Sequence, residues 1–154
     1  MAIELQREDL KRMEQHGAET YPDECCGILL GRERGGRKVI AEVFPARNAR
    51  ADSARNRYLI PPADLLRSLE EAEKKGLEIL GFYHSHPDQP AQPSAFDRQY
   101  AWPWFAYLIV EVRNRIARET TAWTLAVDGS EFLREELMVL GDPSGPLIRP
   151  GSGP

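Results

Sequence analysis

His84-Ser85-His86-Pro87, then Pro93-Ser94, then Asp97 form the chemically richest stretch of the chain. Two imidazoles two residues apart, with a carboxylate eleven residues after the second, are a donor set for a divalent metal. In a strand, residues i and i+2 project from one face. His84 and His86 would then present both rings to a single ion at about 2.0–2.1 Å per Zn–N bond, with Ser85 turned away. A zinc held by two neutral histidines and one carboxylate keeps its fourth position for water, which is what separates a catalytic from a structural site. Ser94 places a hydroxyl three residues before Asp97. Far upstream, Tyr21-Pro22-Asp23-Glu24-Cys25-Cys26-Gly27 sets an acid directly before an apolar run, where a general base could come from.

Each part has a plainer reading. A His-x-His pair alone is more often an exposed strand end than a metal site. Ser94-x-x-Asp97 is also a helix capping box, with Ser94 as N-cap and Asp97 in the first turn. The combination favours the metal: the chain has three histidines, and two of them sit together, one loop before the helix that carries Asp97. Both roles can hold at once, because a helix N-terminus is a rigid platform for a ligand. Glu24, taken from the residues alone, reads as a solvated acid at a strand start. Cys25 and Cys26 read as buried small residues, and His16 as an ordinary surface histidine. Trp102, Trp104 and Phe105 are expected to pack in a core or an interface, with a groove lining as the other reading.

The elements that must position these groups follow from periodicity and punctuation. Residues 7 to 18 read as a helix with Leu10 and Met13 on one face. The apolar run 25–30 reads as a buried strand and the alternating run 39–45 as its hairpin partner across Arg34-Gly35-Gly36-Arg37. Residues 47–57 are polar and read as a loop. Pro62 opens a helix through Lys75, with Leu65, Leu66 and Leu69 inward and Gly76 as its stop. Residues 77–83 read as a strand leading into His84, and the proline-rich 87–93 as an ordered loop. A short helix over 94–101 and strands over 107–112, 120–127 and 131–140 follow. The last of these is expected to be a single edge or closing strand. The fold class is α/β, a single mixed β-sheet flanked by helices. The expected domain is 1–140, with a disordered Gly/Pro-rich tail over 141–154.

Bulk properties narrow the function classes. A chain of 154 residues is enough for one domain. Its net charge of −4 argues against nucleic acid as a partner, although residues 32–57 carry eight Lys/Arg against three Asp/Glu. Two adjacent cysteines form no disulfide framework, so a reducing, cytoplasmic setting is expected. The charged N-terminus does not read as a signal peptide, and no apolar stretch is long enough for a membrane span.

Taken together, Glu24, His84-Ser85-His86, Ser94 and Asp97 resemble the complete signature of the JAMM (MPN+) zinc metalloprotease family, prokaryotic stand-alone type. The likeness includes the strand entry from Tyr21 to Gly31 and the loop ending Arg57-Tyr58, and spans roughly residues 5 to 140. It implies an MPN domain with cytidine-deaminase-like layering and one Zn²⁺ per chain held by His84, His86 and Asp97. It further implies Glu24 as the general base that takes the water proton and returns it to the leaving amine. Ser94 would donate to the oxyanion. The reaction implied is hydrolysis after the C-terminal Gly-Gly of a ubiquitin-like or sulfur-carrier protein. Two other classes stand beside it. One is a non-catalytic MPN scaffold for protein contacts. The other is a repair-associated protein resembling RadC, which carries Asn between the histidines and extra DNA-binding helices. A nucleoside deaminase lacks support, since there is no Pro-Cys-x-x-Cys.

Overall fold

The computed structural model describes residues 1–50 and 58–141. The polar segment 51–57 and the expected tail beyond Gly141 lie outside the described residues.

The chain folds as one mixed sheet with helices against it. Strand β1 (Ile3–Gln6) leads into helix α1 (Arg7–Thr20), followed by β2 (Cys26–Arg34), β3 (Arg37–Ala46) and α2 (Pro62–Lys75). Then come β4 (Glu78–Pro87), the short helix α3 (Ala95–Gln99), β5 (Ala106–Arg113), β6 (Ile116–Leu125), β7 (Phe132–Glu135) and β8 (Leu137–Leu140). Strand order is β7-β6-β5-β4-β2-β3-β1-β8. The β1–β3, β1–β8 and β4–β5 pairs are parallel, and the others antiparallel. Strand β1 was not anticipated, although Ile3 and Leu5 are buried with Glu4 and Gln6 between and after them, a short period-2 pattern.

The expected single strand over 131–140 is two strands. β7 pairs with β6 at one edge of the sheet, while β8 pairs with β1 at the other. Glu136 joins them and accepts the Ile3 N–H at 2.9 Å. One short segment can serve both edges only because the sheet curls enough to bring them close to each other.

Helix α1 packs within the curl. Its buried residues, Asp9, Leu10, Met13 and Gly17, recur at helical spacing on one stripe. They meet the inner core of Leu29, Leu80, Tyr83, Leu108 and Val110. Helix α2 covers the outer face with Asp64, Ser68 and Ala72, spaced by four. It starts on Pro62 and stops at Gly76, whose φ of 65° only glycine adopts without strain. Leu65 packs on the outer core, but Leu66 and Leu69 are 57% and 49% exposed, contrary to the expected inward face. The rotation is set by Asp64, whose buried carboxylate accepts the Arg47 backbone N–H at 2.8 Å and pairs with Arg67.

Candidate metal centre

Strand β4 extends through both histidines, further than the sequence indicated, and its alternation sorts its end into two faces. Tyr83 and Ser85 point to the α1 side. Phe82, His84 and His86 point to the outer side, beside the residues of β2 that pair with them, with Cys26 opposite His84. Glu24 lies just before β2 and close enough to Asp97 for the two charges to act on each other. Ser85 fastens this junction, its Oγ accepting the Cys25 N–H at 2.8 Å while its own N–H donates to the Cys25 carbonyl.

Asp97 arrives from α3. Ser94 is the N-cap: its Oγ accepts the Asp97 N–H at 3.0 Å, and Asp97 Oδ2 accepts the Ser94 N–H at 2.9 Å. That same Oδ2 lies 3.1 Å from His86 Nε2 and 3.3 Å from His84 Nε2, and the two Nε2 atoms are 3.2 Å apart. The capping box and the donor cluster are therefore one arrangement. Four ligands placed tetrahedrally at about 2.0–2.1 Å from an ion sit about 3.3–3.4 Å from one another. The three atoms match one face of such a tetrahedron. His84, His86 and Asp97 also form the group that could hold a metal ion among the described residues. The donor set and its spacing fit a divalent metal.

The surroundings agree with that use. His86 Nδ1 lies 2.9 Å from the Pro90 carbonyl, so it carries the ring proton and leaves the Nε2 lone pair facing the cluster. Tyr58 stacks on His84 at 4.7 Å between ring centroids. Burial opposes the charge on Asp97, but the neighbouring His84, with bonds from His84, His86 and Ser94, pulls its carboxyl well below the usual range.

Glu24 is not the solvated acid its sequence neighbours suggest. It is 3% exposed, and its Oε1 has no hydrogen-bond partner among the described residues. Burial, with the Asp97 charge adding to it, pushes its carboxyl up to about 9. Its backbone is held by Asn48, whose Nδ2 donates to the Glu24 carbonyl at 3.1 Å. Asn48 Oδ1 also accepts the N–H groups of Arg50 and Leu59. Sequence reading missed this loop knot; an Asn in a polar segment is its only signal. Pro90 was missed as well, because it acts through a backbone carbonyl that any residue would supply.

Three smaller expectations are settled by burial. Cys25 and Cys26 are buried small residues, and burial lifts the Cys25 thiol to about 12, which keeps it unreactive at neutral pH. His16 is half-buried rather than a free surface histidine; its Nδ1 meets the Tyr83 hydroxyl at 2.8 Å. Trp102 and Trp104 are 56% and 62% exposed instead of packed in a core. Trp102 and Phe105 line a cavity of about 490 Å³ that reaches Asp97 and Tyr58, with Leu65 and Leu69 of α2 on its opposite wall.

Residues 6–126 match the family model for prokaryotic homologs of the JAB domain. The chain belongs to this family. It is 35% identical over 133 residues to a desampylase of Haloferax volcanii, covering 86% of this chain and 89% of that one. It is also 31% identical over 122 residues to a CysO-cysteine peptidase of Mycobacterium tuberculosis, covering 77% and 78%. The solution structure of a Salinibacter ruber protein superposes with a TM-score of 0.71 at 39% identity, covering 95% of this chain and 96% of the other. As a JAB/MPN protein related to peptidases over most of its length, it is a hydrolase of the JAMM type. Among the described residues no helix is long and apolar enough to cross a membrane.

Proposed function

We propose that this protein is a zinc-dependent isopeptidase or peptidase that releases a ubiquitin-like or sulfur-carrier protein by cutting after its C-terminal Gly-Gly. The observation that carries the reading is the triangle of His84 Nε2, His86 Nε2 and Asp97 Oδ2 beside the buried Glu24, whose Oε1 has no partner among the described residues. His84, His86 and Asp97 would hold one Zn²⁺ through those atoms. When bound, zinc draws the pKa of a coordinated water from about 15.7 toward about 7.

Glu24 then has its role. Nearby positive charge favours its ionised form, which accepts a proton from water and hands it to the departing amine. Ser94 Oγ accepts from Asp97 N–H, so its own O–H remains to donate to the oxyanion that develops on the scissile carbonyl. The cavity between α2 and the Trp102–Phe105 segment is the place for the carrier's apolar flank, with its tail leading toward Asp97. A scaffold without activity would gain nothing from burying Glu24 without a partner, since that costs stability. The names of the relatives, a desampylase and a CysO-cysteine peptidase, point to the same substrate class.

The test is zinc analysis of chelator-free protein, together with cleavage of a carrier fusion containing Gly-Gly. About one zinc per chain and cleavage at that bond are expected, with both lost in His84→Ala and Asp97→Ala. Leu69→Ser should raise KM while leaving stability within about 0.5 kcal/mol. Cleavage that persists in the ligand variants, or protein that takes up no zinc, would end this reading.

A further inference from the structure

The loop that orients His86 is itself held from another strand. Cys26, His84, Ile109 and Thr121 form one row across β2, β4, β5 and β6, so Thr121 shares the outer face with the metal ligands. Its side chain takes no part in the donor cluster. Thr121 is 1% exposed, and its hydroxyl donates to the Ala91 carbonyl at 2.6 Å. The Trp123 indole N–H donates to the same hydroxyl at 2.7 Å, filling its acceptor side and leaving the O–H aimed at Ala91.

Ala91 is the central residue of a tight turn in which the Gln92 N–H donates to the Pro90 carbonyl at 2.8 Å. That Pro90 carbonyl is also the partner of His86 Nδ1. The sequence of contacts is therefore Trp123 to Thr121 to Ala91, and through a single γ-turn to Pro90 and the His86 ring. A neutral imidazole donates from one nitrogen and accepts at the other, so the direction of the Pro90 carbonyl decides which nitrogen of His86 offers its lone pair. Without the Thr121 hydroxyl, the Ala91 carbonyl, in a residue only 2% exposed, has no donor among the described residues, and the turn relaxes to find one.

We propose that Thr121, backed by Trp123, is a positioning residue for the metal site, holding the Pro90–Gln92 turn so that His86 Nε2 faces the ion. It rests on the metal reading above and concerns zinc affinity rather than the chemical step.

The test measures zinc affinity by competition with a chelating dye, the cobalt-substituted absorption spectrum, and the melting temperature of the metal-free protein. Thr121→Val keeps the volume and removes the hydroxyl. It should weaken zinc binding about tenfold or more and alter the cobalt spectrum. Thr121→Ser should restore both, and Trp123→Phe should weaken zinc binding in the same direction by less. Ile40→Val, in the inner core away from the site, serves as the stability control: it should lower the melting temperature and leave zinc affinity alone. Folded Thr121→Val that binds zinc as wild type does overturns the proposal, as does an equal loss in Ile40→Val. If Thr121→Val does not fold, unchanged affinity in Trp123→Phe overturns it. A wild-type protein that binds no zinc sinks the metal reading and this one with it. A zinc-binding wild type beside an equally good Thr121→Val sinks this one alone.

Discussion

The two faces of the end of β4 are built to opposite rules. On the α1 side, Tyr83 reaches His16 with its hydroxyl and Ser85 accepts the Cys25 N–H, so both polar side chains of this strand end have a partner. On the outer side, only one residue away in each direction, His84 Nδ1 and the neighbouring Glu24 Oε1 are buried without one. Buried polar groups in folded proteins are nearly always paired, and leaving one unpaired costs stability. At the end of β4 itself the inner face is thus satisfied by the chain, although Thr120, in line with Ser85 across β5, buries an Oγ1 with no partner among the described residues. On the outer face, by contrast, two groups beside the donor cluster have no partner among the described residues. Within this strand end, that contrast sets the side of the donor cluster apart from the side that only packs.

The largest effect that would break the comparison is at Glu24. Glu24→Gln should lower kcat by about 10²–10⁴ while zinc content stays the same. The metal-free protein should be no less stable than wild type, because a partnerless acid has been replaced by a neutral amide. A clear drop in the melting temperature would mean that Glu24 is structural after all. Steady-state kinetics with thermal melting read both quantities.

A middle-sized effect is expected on the inner face. A Cβ at Gly27 would lie 2.1 Å from the Tyr83 ring, a contact the fully buried tyrosine cannot relieve by moving outward. Gly27→Ala should therefore cost about 1–3 kcal/mol in denaturant unfolding, with zinc affinity preserved in the folded fraction. Loss of zinc at unchanged stability would show that the faces are not independent.

The smallest effect belongs to His16, whose pKa burial lowers. The unfolded chain then binds more protons than the folded one between that lowered value and about 6.5. Stability is full above this window and falls as pH drops through it. His16→Gln should flatten the slope of stability between pH 7 and 5. An identical slope in the variant would show that His16 is not a source of this pH dependence.

How legible the molecule was depends on the range of the interaction. The α2 stop at Gly76, the β2–β3 hairpin and the Ser94 capping box are local, and residue types within a few positions specified them. The amphipathic reading of α2 went wrong at Leu66 and Leu69 because Asp64, a charged residue, is buried against the Arg47 backbone. Periodicity alone assigns charges outward. The division of residues 131–140 between opposite sheet edges was invisible for a similar reason: alternation says which side a residue faces, not which strand it will pair with.

The amino-acid sequence by itself determined the donor types, their spacing on one strand and one helix start, and the family whose signature they match. Only the tertiary structure decided that Glu24 is buried near Asp97, some seventy residues away, and that Thr121 of β6 bonds the loop behind His86. Local propensity acts over a few residues. Strand order and register are settled by the packing of the whole sheet, and they bring those distant groups together.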